Sequence, residues 1–138
     1  MNPIKSGLNN ATLSNGNLKV SQAASSYVAS PASIGVSSGK WYWTVDCRSI
    51  GFVTSIGITS ILTAGGVSAP GTISYHYDGT KYIESSNVSY ASSYATGDTL
   101  SFALDMDSGT LECFKNGISQ GLIVVGLTGT YYPWVTLY

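Results

Sequence analysis

The sequence predicts an all-β protein, an antiparallel β-sandwich formed by one domain over residues 1–138. Three observations carry this prediction. Short runs rich in Val, Ile, Tyr, Trp and Thr recur between clusters of Ser, Gly, Asn and Asp, without helical periodicity. Apolar residues alternate with small or polar ones through TLSFALDMD. The DSGT and NG stretches that follow are signals for tight turns between antiparallel strands.

The strands are expected in chain order, with turn residues between them. Residues 1–9 are expected to be a loosely ordered lead-in, and Asn116-Gly117 to form a type I′ turn, because both residues tolerate positive φ. The stretches 61–71 and 85–97 are expected to be the longest irregular connections. Besides the alternating segment that begins at residue 100, strands are predicted around 17–20, 32–36, 40–47, 55–58, 72–77, 81–84 and 131–138.

The segment from Gly97 to Gly117 predicts a hairpin with one apolar face. A two-residue loop at Ser108-Gly109 would place Met106 opposite Leu111 and Leu104 opposite Cys113. Both strands would then direct apolar side chains to the same side.

The stretch GKWYWTVDC predicts a strand with one buried face. Successive side chains alternate in a strand, so one face would carry Trp41, Trp43, Val45 and Cys47. We expect this face to be core and Tyr42 to lie on the opposite, solvated face. Cys47 and Cys113 are too few for a disulfide framework and are expected to be buried free thiols.

The composition excludes several partner classes. Charged residues make up 9% of the chain, and the net charge is −1 with six Lys plus Arg. Nucleic-acid and anionic-lipid binding depend on clustered cations, so neither partner is expected. The chain has no run of about 18 apolar residues and no apolar signal segment near its start, so neither membrane insertion nor export is expected.

Catalytic and metal sites are not expected. GVSSG around Ser37 matches a nucleophile-elbow pattern, but a strand rather than a helix follows it. The chain's one histidine, His76, is expected at the surface of an aromatic loop. Asp98 and Asp107 are expected to be turn or hydrogen-bonding residues rather than a catalytic carboxylate pair. One His and two distant Cys give no zinc spacing, so no metal and no cofactor are predicted.

A tyrosine-rich stretch is the candidate binding region. Tyrosine among small polar residues is typical of recognition surfaces, because the ring gives contact area and the hydroxyl gives direction. The alternative is that alternate tyrosines pack into the sheet, and about half are expected to be exposed. The candidate ligand-binding residues are Tyr75, His76, Tyr77, Asp78, Lys81, Tyr82, Tyr90 and Tyr94.

Several segments together resemble the SPRY domain, the core of the B30.2 family, over residues 10–138. The most specific is GDTLSFALDMDSGTLECFKNG at 97–117. Cys113, Thr44 and Ser101 depart from the residues usual in the family without breaking the strand pattern. The other matching segments are GKWYWTV at 39–45, IGI at 56–58, YDGTKY at 77–82 and YYPWVTL at 131–137.

The resemblance implies two bent antiparallel sheets, lectin-like jelly-roll architecture and a non-catalytic binding role at one rim. The opening of the chain is similar to SPRY-like modules of bacteriophage tail and virion proteins. This similarity leads us to expect a virion surface or tail domain that binds a host surface glycan or protein receptor. Two alternatives remain: a structural domain that binds other virion proteins, or an intracellular peptide-binding SPRY domain.

Overall fold

The described structure consists of β-strands joined by turns and loops. A computed structural model of the chain describes residues 11–22, 28–51, 54–62 and 66–137. The strands are β1 (Ala11–Ser14), β2 (Lys19–Gln22), β3 (Val28–Pro31), β4 (Lys40–Asp46), β5 (Ser55–Thr59), β6 (Thr72–His76), β7 (Thr80–Ile83), β8 (Ser86–Ser89), β9 (Thr99–Asp105), β10 (Thr110–Lys115), β11 (Ile118–Val124) and β12 (Tyr132–Leu137).

The strands form two main antiparallel sheets and a separate hairpin. The four-stranded sheet has the order β11-β10-β9-β4, and the six-stranded sheet has the order β3-β12-β5-β6-β7-β8. Strands β1 and β2 pair only with each other in the described part of the chain. The predicted all-β antiparallel sandwich is therefore confirmed.

The core lies between the inner faces of these two sheets. Strand β9 contributes Leu100, Phe102 and Leu104, each at most 1% exposed. Strand β10 adds Leu111 and Cys113, which lie directly opposite Leu104 and Phe102. The six-stranded sheet supplies Ile56, Ile58, Ile73, Tyr75 and Val135.

The predicted β9–β10 pairing is off by two residues. Leu111 pairs with Leu104, and the loop between the strands has four residues, 106–109, rather than two. The Asp105 side chain stabilises the longer loop, because its Oδ1 accepts hydrogen bonds from the backbone N–H groups of Asp107 at 3.0 Å and Ser108 at 3.1 Å. A shift of two residues keeps every side chain on its face, so the predicted inner face is correct.

Strands β3 and β8 differ from the predicted strands, because hydrogen-bonded pairing with a neighbouring strand determines which residues form each of them. The strand expected at 32–36 lies at Val28–Pro31, and the irregular connection 85–97 contains β8. Strand β8 has the sequence SNVS, and all four of its residues are exposed. Because it buries no face, its sequence has no alternation of apolar and polar residues that would predict a strand. The Asn116-Gly117 turn is confirmed, with φ of 51° and 81°. The lead-in at residues 1–9 falls outside the described residues.

Strand β4 has the predicted alternation but a different degree of burial. Trp41, Trp43 and Val45 pair with inward-facing residues of β9, so their common face is as expected. Trp41 is nevertheless 47% exposed, which corrects the expectation that it is core. The reason is that β4 is the edge strand of its sheet and Trp41 lies near its start. Its indole N–H donates to the Ser38 carbonyl at 2.8 Å.

Trp43 packs where the edge strand meets the core. Its ring stacks on Phe102 with a centroid distance of 5.3 Å and an interplanar angle of 13°. We expect Trp43→Ala to lower the free energy of unfolding by about 3 kcal/mol, because a large apolar volume next to Phe102 is lost. Tyr42→Ala, at a side chain that is 65% exposed, should cost less than about 1 kcal/mol. Urea denaturation measures both, and equal midpoints for the two variants would contradict this packing.

Cys47 and Cys113 are free and buried, as predicted. Burial raises the pKa of the Cys47 thiol to about 11 and that of Cys113 to about 12. Because the thiolate is the reactive form, a disulfide reagent at pH 8 should titrate these thiols slowly in the native protein and completely in denaturant. If denaturation without reductant exposed no thiol and reductant restored both, the cysteines would be disulfide-bonded instead.

Candidate functional site

Several tyrosines of the predicted binding region pack inside the protein. Tyr75 and Tyr94 are buried at 0% and 3% exposure, and Tyr90 is half-buried. Their hydroxyls donate to backbone carbonyls: Tyr94 to Thr54 at 2.9 Å, Tyr90 to Gly121 at 2.6 Å, and Tyr75 to Ser92. These hydroxyls are engaged within the protein, so Tyr75 and Tyr94 offer no surface to a ligand.

Lys81 links the two sheets beside these tyrosines. Its ammonium lies 2.7 Å from the Ile123 carbonyl in β11 and 5.1 Å from the centroid of the Tyr90 ring. Lys81 on β7 and Tyr90 thus both donate to carbonyls of β11 in the opposite sheet, whereas Tyr94 donates on its own side, to Thr54 and to Tyr75. This arrangement closes one side of the sandwich.

His76 corrects the expectation of a surface histidine. It is the last residue of β6 and is 6% exposed. Its Nδ1 lies 2.6 Å from the Ser55 hydroxyl, and the rings of Tyr77 and Tyr82 meet it edge-on. Burial lowers the pKa of this imidazole, with a smaller opposing contribution from Asp78. Ser55 is fully buried, so the Ser55–His76 pair is closed to a substrate.

The accessible remainder of the predicted site is small. Tyr77 and Tyr82 are half-buried, and Asp78 is exposed. The Asp78 carboxylate accepts hydrogen bonds from the backbone and hydroxyl of Thr80 at 3.0 Å and 2.7 Å, which makes it a turn residue. Ligand binding by the accessible members of the set stays a prediction.

A different surface combines a concave shape with exposed aromatic and apolar side chains. We call it the Tyr42 trough. It lies on the outer face of the four-stranded sheet and has a volume of about 390 Å³. Its lining residues are Lys40, Trp41, Tyr42, Ala103, Leu104, Asp105, Thr110, Glu112 and Leu122.

Strand register creates the trough. Tyr42 pairs with Ala103, Ala103 with Glu112, and Glu112 with Leu122, so one row of side chains crosses all four strands. Tyr42 is 65% exposed and Leu122 is 48% exposed at the two ends of the row. The small Ala103 side chain leaves a gap between the larger neighbours on either side of it. The trough is therefore a consequence of side-chain size within a regular sheet.

The two carboxylates that line the trough, Asp105 and Glu112, have different partners. Lys40 Nζ lies 2.8 Å from Asp105 Oδ2, and this hydrogen bond is the main reason that the pKa of Asp105 is lowered to about 2. Among the residues that the structure describes, no cation pairs with Glu112 in this way. Its Oε1 accepts a hydrogen bond from the Ser119 hydroxyl at 2.5 Å. Glu112 is thus the trough carboxylate that no cation of the described part of the chain neutralises.

Reasoning from the sequence missed this site for a specific reason. The strand pattern correctly predicts that Tyr42 lies on the solvated face, but it indicates neighbours only within the same strand. The relevant neighbours are Ala103, Glu112 and Leu122, which lie 61, 70 and 80 positions away in the sequence. The available signal was the pairing of the WYW strand with β9, which requires a register that strand patterns alone do not supply.

A larger cleft of about 970 Å³ lies between the β1–β2 hairpin and strands β4 and β12. Trp43, Val45 and Ile56 are among its lining residues. The hairpin continues directly into residues 1–10 and 23–27, which are outside the described part of the chain.

Within the described ranges, no three His, Cys, Asp or Glu side chains are grouped so that they could hold a metal ion. No helix among these residues is long and apolar enough to cross a bilayer. Asp98 and Asp107 have the predicted turn or hydrogen-bonding roles: Asp98 accepts from the Ala95 N–H at 2.9 Å within a turn, and Asp107 accepts from the distant Gly39 N–H at 2.8 Å.

Solved structures show the same architecture. The SPRY domain of human HERC1 superposes with a TM-score of 0.85 at 22% sequence identity, covering 99% of this chain and 89% of that one. The chain has the SPRY fold. A second human SPRY domain superposes with a TM-score of 0.65 at 18% identity, covering 86% of this chain and 83% of the other. No protein-family model and no curated protein matches the sequence. The SPRY fold agrees with the resemblance seen in the sequence, while the bacteriophage context is not shown.

The single histidine makes the environment of His76 directly measurable. We expect its imidazole to titrate below pH 6.5 in the folded protein, because burial disfavours the charged ring. The unfolded chain then binds a proton that the folded chain does not, so stability should fall as the pH drops below about 6.5. An NMR titration of the ring signals gives the midpoint, and the urea-unfolded chain is the control. A folded midpoint at or above that of the unfolded chain would contradict the burial of His76.

Proposed function

We propose that this chain is a non-catalytic recognition module that binds a partner protein through the Tyr42 trough. The observation that carries the proposal is the coincidence of an exposed aromatic ring, an exposed leucine and a concave surface on one sheet face. Aromatic side chains with apolar neighbours and few charges are enriched at the centres of protein interfaces. The strands beneath the trough hold these side chains in place before a partner arrives.

The SPRY fold supports a protein partner, because domains of this kind generally serve as protein-interaction modules. The described residues also favour binding over catalysis. The Ser55–His76 pair is buried, and the Asp98 and Asp107 carboxylates accept hydrogen bonds from the backbone N–H groups of Ala95 and Gly39. None of these groups lines the trough.

A second candidate is attachment of a bacteriophage virion to a host surface glycan. The neutral, hydroxyl-rich composition favours it, as does the accessible Tyr42 ring beside the Glu112 carboxylate, because sugars stack on rings and donate hydroxyl hydrogens to carboxylates. A location on the exposed virion surface or tail belongs to this proposal. So does its structural variant, in which the chain binds other virion proteins.

Photo-crosslinking tests the proposal. A photoreactive phenylalanine analogue is placed at position 42 or at position 122, and at position 118 as the control. Ile118 is more exposed than Leu122, at 71% against 48%, and belongs to the same strand, but does not line the trough. The variants are incubated with the proteins of the source cell or particle, and adducts are identified by mass spectrometry. We expect the same protein adduct from positions 42 and 122 and none from 118.

Two outcomes would contradict a protein partner at this surface. One is an equal yield of adducts from all three positions. The other is retention of a multimerised form of the chain on extracted host polysaccharide, with loss of that retention in Tyr42→Ala and no protein adduct. The second outcome favours the glycan. Multimerisation is needed because single glycan contacts are weak and linked sites add avidity.

A further inference from the structure

We propose that the Tyr42 trough takes an arginine side chain from an extended segment of the partner, with its guanidinium between the Tyr42 ring and the Glu112 carboxylate. This inference rests on the proposed function and names the chemistry that the same surface recognises. It comes from the width of the gap, the charge of its walls and the length of the trough.

The gap above Ala103 has the width of one side chain. Tyr42 and Glu112 lie on strands separated by one other strand, β9, so their Cα atoms are about 10 Å apart. Both side chains point outward from the sheet, and the residue between them is alanine. A flat group can therefore enter between an aromatic ring on one side and a carboxylate on the other.

The charge of the gap favours a cation. Lys40 is already paired with Asp105. Among the described residues, Glu112 makes its hydrogen bond through Oε1 to Ser119, and no partner engages Oε2. A ligand cation would complete the pairing of this carboxylate. A ring beside the gap adds cation–π attraction when a cation lies within about 6 Å of its centroid.

Arginine fits this gap better than lysine. Its guanidinium is planar, so one face stacks on Tyr42 while the N–H groups at its edge donate to Glu112. Lysine presents a compact, strongly hydrated charge that pairs with the carboxylate but does not stack. A neutral sugar would also stack on the ring, but it would leave the Glu112 charge unpaired.

The rest of the trough determines which type of side chain is favoured near the arginine in the partner's segment. Four strands span about 14 Å across the sheet, which is the length of about four extended residues. Residues at i and i+2 of an extended segment lie on the same face, about 7 Å apart. An arginine over Ala103 therefore places the residue two positions along near Leu122, which is 48% exposed and apolar. The expected motif is Arg-x-apolar.

The inference is tested with a defined peptide. The ¹⁵N-labelled protein is titrated with N-acetyl-Arg-Ser-Leu-amide, and the control peptide carries citrulline, which has the shape of arginine without its charge. We expect the arginine peptide to shift the amide signals of Tyr42, Ala103, Glu112 and Leu122. The citrulline peptide should bind about tenfold more weakly, because the donor to the Glu112 carboxylate then carries no charge. Binding should also weaken as salt is added.

Matched variants locate the interaction. Glu112→Gln keeps the shape of the side chain and should weaken arginine-peptide binding about tenfold, while Tyr42→Ala should abolish the shifts. Asp46→Asn is the control, because it removes one outward-facing carboxylate from β4 outside the trough and should leave binding unchanged. A dispersed spectrum from each variant shows that it is folded.

The possible outcomes distinguish a failure of arginine recognition from a failure of the proposed function. Equal binding of the arginine and citrulline peptides, or binding that Asp46→Asn weakens as much as Glu112→Gln does, would overturn arginine recognition. Arginine recognition would also be overturned if positions 42 and 122 crosslinked to a protein while the arginine peptide caused no shift at millimolar concentration. In that case the proposed function would stand. A shift of the trough signals by a neutral oligosaccharide alone would overturn the inference in favour of the glycan.

Discussion

The burial of the inner face of β9 in the core between the two sheets is the constraint on which the rest of the structure depends. Leu100, Phe102 and Leu104 occupy the middle of the inner face of the four-stranded sheet and are almost completely buried. Because strand side chains alternate, burying these three directs Ser101, Ala103 and Asp105 to the outer face. The inner packing thus determines which side chains lie on the outer face of the sheet.

The tyrosines contribute to this packing more than to the surface. A two-sheet core leaves backbone carbonyls at the open sides of the sandwich, and buried carbonyls need donors. Tyr90, Tyr94 and Lys81 supply such donors. A chain with 9% charged residues relies on hydroxyls for many of these hydrogen bonds, which explains why tyrosine is frequent where the sides of the sandwich are closed.

Scarcity of charge also gives the trough its character. On a surface with many ion pairs, one unpaired carboxylate would be ordinary, and salt would screen it. Here, Glu112 lies beside an exposed ring and an exposed leucine, and the nearby cation Lys40 is held by Asp105. With Lys40 and Asp105 paired to each other, the Glu112 carboxylate is the charge on which the proposed recognition rests.

The sequence by itself determined the fold class, the inner face of β9 and β10, the Asn116-Gly117 turn and the burial of both cysteines, because alternation and turn chemistry are local. It did not determine the β9–β10 register, because a pairing shifted by two residues leaves the same pattern of faces. It also did not determine the exposure of Trp41, which depends on β4 being an edge strand. The trough was decided only by tertiary structure, since Tyr42, Ala103, Glu112 and Leu122 become neighbours through the pairing of four strands.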